Sequence, residues 1–110
     1  MTQEKLFASG TGEWTATPDG NRRRVLLHRP ELMLVEFAFE KGGIGALHSH
    51  PHVQTSYVAE GEFEVTIAGN TQRLVAGGAY IVPPNAVHGV KALTAGRLID
   101  SFTPQRDDFL

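Results

Sequence analysis

Twelve glycines and six prolines cut this chain into short runs, and the longer runs alternate apolar with polar residues. In ELMLVEFAFE, residues 31–40, Met33, Val35, Phe37 and Phe39 share one face of a strand, with Leu34, Glu36, Ala38 and Glu40 on the other. In GEFEVTIA, residues 61–68, Phe63, Val65 and Ile67 form an apolar face against Glu62, Glu64 and Thr66. Gly69-Asn70 reads as the turn into TQRLVA, and Gly77-Gly78 and Pro83-Pro84-Asn85 as further turns. VHGVKAL and GRLIDSFT read as two more strands. No segment sustains a 3.6-residue period over about ten positions, so helix content should be low. Pattern alone predicts an all-β protein, a sandwich or a small antiparallel barrel.

At 110 residues the chain is expected to form a single domain, residues 1–110, with one core. It has no cysteine, which excludes disulfides, thiolate metal sites and cysteine nucleophiles. A formal charge of −2 points away from a nucleic-acid partner. Arg22-Arg23-Arg24 is the one basic cluster. On a strand its middle member points away from the other two, and a solvated edge is the plain reading. The opening MTQEKLFASGTGEW has no apolar run fit for a secretory signal. Nothing approaches the roughly 18 apolar residues of a membrane span. The expectation is a soluble, cytoplasmic protein without a membrane partner.

GALHSHPHVQTSY, residues 45–57, places His48, His50, His52 and Gln54 at every second position. Residues i and i+2 of a strand lie on one face about 6.6 Å apart, so two histidines so placed can converge on one ion. Four in a row would span about 20 Å and could not. Pro51 lacks a ladder donor and constrains His50 before it. The strand is therefore expected to end near Pro51 and the chain to re-enter a sheet with Gln54. Alone, His-x-His is equally well a solvent-exposed pair.

The wider spacing carries more. Gly42, five residues, His48, one, His50, three, Gln54, six, Gly61 is followed fifteen residues later by Gly77, five, Pro83, one, Asn85, two, His88. This resembles the two motifs of the cupin superfamily, and the resemblance spans about residues 42–92. It implies a small antiparallel β-barrel or jelly roll holding one divalent transition metal ion through His48, His50, Gln54 and His88. Nickel, zinc, iron and manganese all suit imidazole and amide ligands. Cupins are commonly dimers, so a homodimer is expected. Three positions depart from the family pattern: Gln54 replaces a Glu, Asn85 a Gly and Ala92 an Asn. Asn85 is mild, because Asn tolerates positive φ. Gln54 matters more. Three neutral imidazoles and an amide leave the ion's +2 uncompensated, which makes a better Lewis acid and anion receptor at a cost in metal affinity. The plainer reading of the histidines is a metal-free barrel that packs them in its core. His52 reads as a loop residue beside the site or as a substrate contact, and His28 has no assigned role.

The tail narrows the resemblance. In LIDSFTPQRDDFL, Leu98, Asp100 and Phe102 share a strand face, and an acid between two apolar residues is unusual unless that face is solvated. From about Phe39 onward the chain looks like the KdgF family, small cupins of pectin and alginate breakdown. That family converts 4,5-unsaturated cyclic monouronates to the linear 4-deoxy-5-keto form. The resemblance implies a small anionic sugar as partner and Asp100, Phe102 and Arg106 as active-site residues. Ring opening needs a base at the anomeric hydroxyl, for which Asp100 is the candidate, and stabilisation of the departing enolate, which a metal supplies. Arg106 could hold the carboxylate or ring hydroxyls, or could form a surface ion pair with Asp107 or Asp108. Phe102 would shape and dry the pocket. Competing readings are a cupin dioxygenase using iron and O₂ at the three histidines, and a non-catalytic sugar-binding or sensory cupin.

Overall fold

A computed structural model describes residues 5–110. The strands are β1 (Thr15–Ala16), β2 (Arg22–Arg29), β3 (Leu32–Phe39), β4 (Ile44–His48), β5 (Val53–Glu60), β6 (Glu62–Ile67), β7 (Asn70–Val75), β8 (Ala79–Val82), β9 (His88–Ala92) and β10 (Gly96–Thr103). One 3₁₀ turn, Asp107–Phe109, follows them. No helix among the described residues is long and apolar enough to cross a membrane.

The strands form two antiparallel sheets, β1-β2-β3-β10-β5-β8 and β4-β9-β6-β7. They share one core. Phe39, Val58 and Leu98 of the larger sheet pack with Phe63, Val65 and Ala92 of the smaller. The alternation read from sequence sets these faces: Met33 and Val35 are buried, as are Phe63 and Val65. The result is a jelly roll rather than a hydrogen-bonded closed cylinder. A second cluster, Met33, Val35 and Phe102 with Val25, Phe37 and Phe109 against it, lines the larger sheet.

β10 lies between β3 and β5 and buries every second residue, Gly96, Leu98, Asp100 and Phe102. Asp100 therefore takes an inward position between apolar neighbours because the period of the strand gives it no other.

Two local expectations need correction. The β6–β7 hairpin turns at Ala68-Gly69 rather than Gly69-Asn70, since Ile67 pairs with Asn70. Both turn residues have positive φ, 48° and 83°, as a type I′ turn requires. This register sets Leu74 opposite Phe63 and against the core. The arginine triplet is not a solvated edge, because β2 pairs with β1 and β3. Arg24 donates from Nε to the buried Glu36 at 2.7 Å, and Arg97 binds the other oxygen of that carboxylate. Arg22 and Arg24 lie over Trp14, whereas Arg23 lies over Phe109, 4.1 Å from its ring centre.

Candidate metal centre and its pocket

His48 ends β4 and His88 begins β9, and the two are cross-strand partners. The β4–β9 register shifts between Gly45 and His48, a bulge that turns His48. His50 follows in the loop that Pro51 forces out of the ladder, and Gln54 is the second residue of β5. One ligand atom from each of His48, His50 and His88 lies within 4.8 Å of the others. Gln54 Oε1 stands 2.9 Å from His50 Nε2 and 3.1 Å from His88 Nε2.

Backbone carbonyls set the tautomers. His48 Nδ1 donates to Ala46 O at 2.8 Å, His88 Nδ1 to Ala86 O at 2.9 Å, and His50 Nδ1 to His52 O at 3.2 Å. A carbonyl only accepts, so each proton sits on Nδ1 and each Nε2 carries a lone pair. The amide of Gln54 is fixed as well, since its Nε2 donates to Ser56 Oγ at 2.9 Å and Asp100 Oδ2 at 3.3 Å. Lone pairs of His50, His88 and Gln54 thus face one another with no donor between them. Protonation does not resolve this at neutral pH. Burial pushes His88 down to about 4, and burial lowers His50 too. A cation does resolve it. Two donors about 2.1 Å from one ion at right angles are about 3.0 Å apart, which matches the observed separations. The residues present fit a divalent transition metal.

His48, Gln54, His88, Asp100, Phe102 and Arg106 all line one cavity of about 570 Å³, a size suited to a small molecule. Asp100 is buried, and its Oδ1 has no hydrogen-bond partner among the described residues. Burial raises its pKa to about 7, against the opposing pull of the Ser56 hydroxyl and Arg106. Phe102 pairs across the ladder with Gln54, and its ring centre lies 5.7 Å from His50 and 5.8 Å from Phe109. Arg106 lies over Phe109 and Phe102, at 4.3 and 5.2 Å. It is also held by Asp108, through Nε at 3.0 Å and Nη2 at 2.8 Å. Of the two acids open to it in sequence, Asp108 is its partner.

His52 contributes its carbonyl to His50 rather than its ring to the donor cluster. His28 bonds Gln105 and lines a different cavity. Sequence reasoning missed Ser56, Tyr80, Arg23 and Phe109. Ser56 was findable, two residues beyond Gln54 on the same strand face. Tyr80 needed the topology: Asp100 pairs with Ser56 and Ser56 with Tyr80, making one row across three strands.

Two facing antiparallel sheets with three histidines and a fourth donor between them define the cupin architecture, and residues 35–102 match the family described as the cupin domain. The chain is 42% identical to the pectin degradation protein KdgF of Dickeya dadantii (strain 3937), covering 96% of this chain and 98% of that one. It superposes on an RmlC-like cupin from Shewanella frigidimarina NCIMB 400 with a TM-score of 0.92, at 42% identity over all of both chains. KdgF from Halomonas sp. superposes with a TM-score of 0.93 at 36% identity, covering 98% of this chain and all of that one. The chain belongs to the cupin family and, within it, to the KdgF family.

Proposed function

We propose that this protein is a metal-dependent isomerase of pectin breakdown that opens 4,5-unsaturated cyclic monouronates to the linear 4-deoxy-5-keto form. The observation that carries the reading is the 42% identity to a KdgF protein over 96% of the chain. Asp100, a buried carboxylate with a free oxygen beside a four-donor cluster, supports it. His48, His50, Gln54 and His88 would hold the metal. When bound, the ion supplies positive charge that stabilises negative charge developing on the sugar.

The rest falls to the chain's own side chains. Asp100 Oδ1 accepts the proton of the anomeric hydroxyl. The C1–O5 bond breaks as the C1 carbonyl forms, and its electron pair stays on O5 as an enolate spanning C5 and C4. Protonation at C4 leaves a ketone at C5. The product is an isomer of the substrate. Having taken the hydroxyl proton, Asp100 can return one to C4. Phe102 excludes water from the reacting face. Arg106 is positioned by Asp108, which uses its Nε and Nη2 and leaves Nη1 for a ring hydroxyl.

The test follows absorbance of the conjugated C4=C5 bond in purified unsaturated monouronate, with metal-loaded protein. The expected result is loss of absorbance well above the uncatalysed rate. Loss no faster than the blank would sink the proposal, and oxygen uptake instead would transfer the protein to the dioxygenase class.

A further inference from the structure

Two guanidinium groups line the cavity, and they differ in their partners. Arg106 is already matched by the bidentate Asp108. Arg23 is half-buried, and among the described residues no carboxylate lies within ion-pairing distance of it. It rests on Phe109, the ring that also carries Arg106. Its neighbours do other work on the opposite face, Arg24 with Glu36 and Arg22 over Trp14. A cation drawn partly out of water without an anion is unfavourable until an anion joins it.

Its position suits a ligand spanning the cavity. Arg23 pairs with Phe37, and Phe37 with Leu98, so it stands two strands from β10, about 9–10 Å at the backbone. Asp100 lies two residues along β10 from Leu98 and faces the same side. A monouronate between them can present its carboxylate to one and its anomeric end to the other.

We infer that Arg23 is the specificity-determining residue of this site: its fork of donors binds the sugar carboxylate and so selects uronates over neutral sugars. This rests on the proposed uronate chemistry. It also gives Arg106, with one nitrogen unengaged, the lesser share of recognising charge.

The experiment compares the parent protein with Arg23→Gln, Arg23→Lys and, as a control from the opposite face, Arg22→Gln. Each is assayed on 4,5-unsaturated galacturonate as free acid and as methyl ester. Binding of saturated galacturonate is measured by calorimetry, with metal content and melting temperature taken on the same samples. Arg23→Gln should raise KM for the acid about 10–100-fold while kcat changes much less. Values for the ester should barely move, so the preference for acid over ester collapses. Galacturonate binding should weaken by a similar factor. Arg23→Lys should fall between, keeping charge without the fork, and it carries the test if the Gln variant does not fold. Arg22→Gln should match the parent. Turnover by the parent with an undiminished acid-over-ester preference in both Arg23 variants would overturn this inference alone. No turnover by the parent would overturn the uronate reading and this inference with it.

Discussion

One amide at Gln54 meets two demands that a carboxylate could not meet together. Its oxygen faces His50 and His88, and its nitrogen donates to Ser56 and to the carboxylate of Asp100. In Gln54→Glu an oxygen would face Asp100, and one member of the new carboxylate pair would keep a proton. The variant should retain metal more tightly against a chelator, yet have lower kcat/KM, with the acid limb of its pH–rate profile moved to higher pH. An unmoved limb with parental turnover would show that the amide is not tuning Asp100. Asp100 itself has two testable consequences. Asp100→Asn should lower kcat by about 10²–10⁴-fold with metal content unchanged, and parental turnover would mean that the base lies elsewhere. In metal-free protein, the folded state holds this proton up to about pH 7 whereas the free side chain loses it near 3.8. The folded state thus binds more protons between those values, and this group's contribution to stability falls as pH rises through them. Metal-free Asp100→Asn should therefore melt above the metal-free parent at pH 8, with the gap closing toward pH 4. A gap independent of pH would point to packing instead.

Strand β4 aims His48 only because its bulge lies tightly on β9. A Cβ on Gly89 would come within 2.7 Å of Gly45 O and 3.1 Å of Leu47 N, both backbone atoms, so β4 would have to shift. Gly89→Ala should keep its β circular-dichroism signature but bind metal about 10–100-fold more weakly in chelator competition, the scale of losing a group that orients a ligand. The β6–β7 hairpin offers the opposite case. Ala68 is exposed and adopts φ 48°, a conformation that Asn tolerates better. Ala68→Asn should raise the urea midpoint and leave activity untouched. At this scale the sequence was readable wherever information is local. Alternation defined the faces of β3, β6 and β10, and Pro51 marked the gap between β4 and β5. It also turned Arg23 away from Arg22 and Arg24, but not toward any particular wall. That wall depends on β2 joining β10 through β3, a pairing between segments far apart in the chain. Phe109 left no trace for a related reason: a three-residue turn has no period to read.

The donor cluster draws on both sheets, His48 and His88 from the smaller and Gln54 from the larger. An ion held there is a cross-link between them as well as a reagent. Free metal at about 100 times its dissociation constant should stabilise the folded state by about 2.7 kcal/mol. For a domain of this size that is roughly 10–20 °C in melting temperature, and scanning calorimetry with and without chelator would measure it. An unchanged transition would mean that the sheets are not joined through the centre. The placement of β10 between β3 and β5 has a different consequence, one for biosynthesis. The strand that fills the middle of the larger sheet is the last of the ten in chain order. Until it leaves the ribosome, the nascent chain exposes two unpaired edges and lacks Asp100, Phe102 and Arg106. This jelly roll closes only once all of its strands are present, and a message truncated before Gly96 would yield a chain prone to edge-to-edge aggregation.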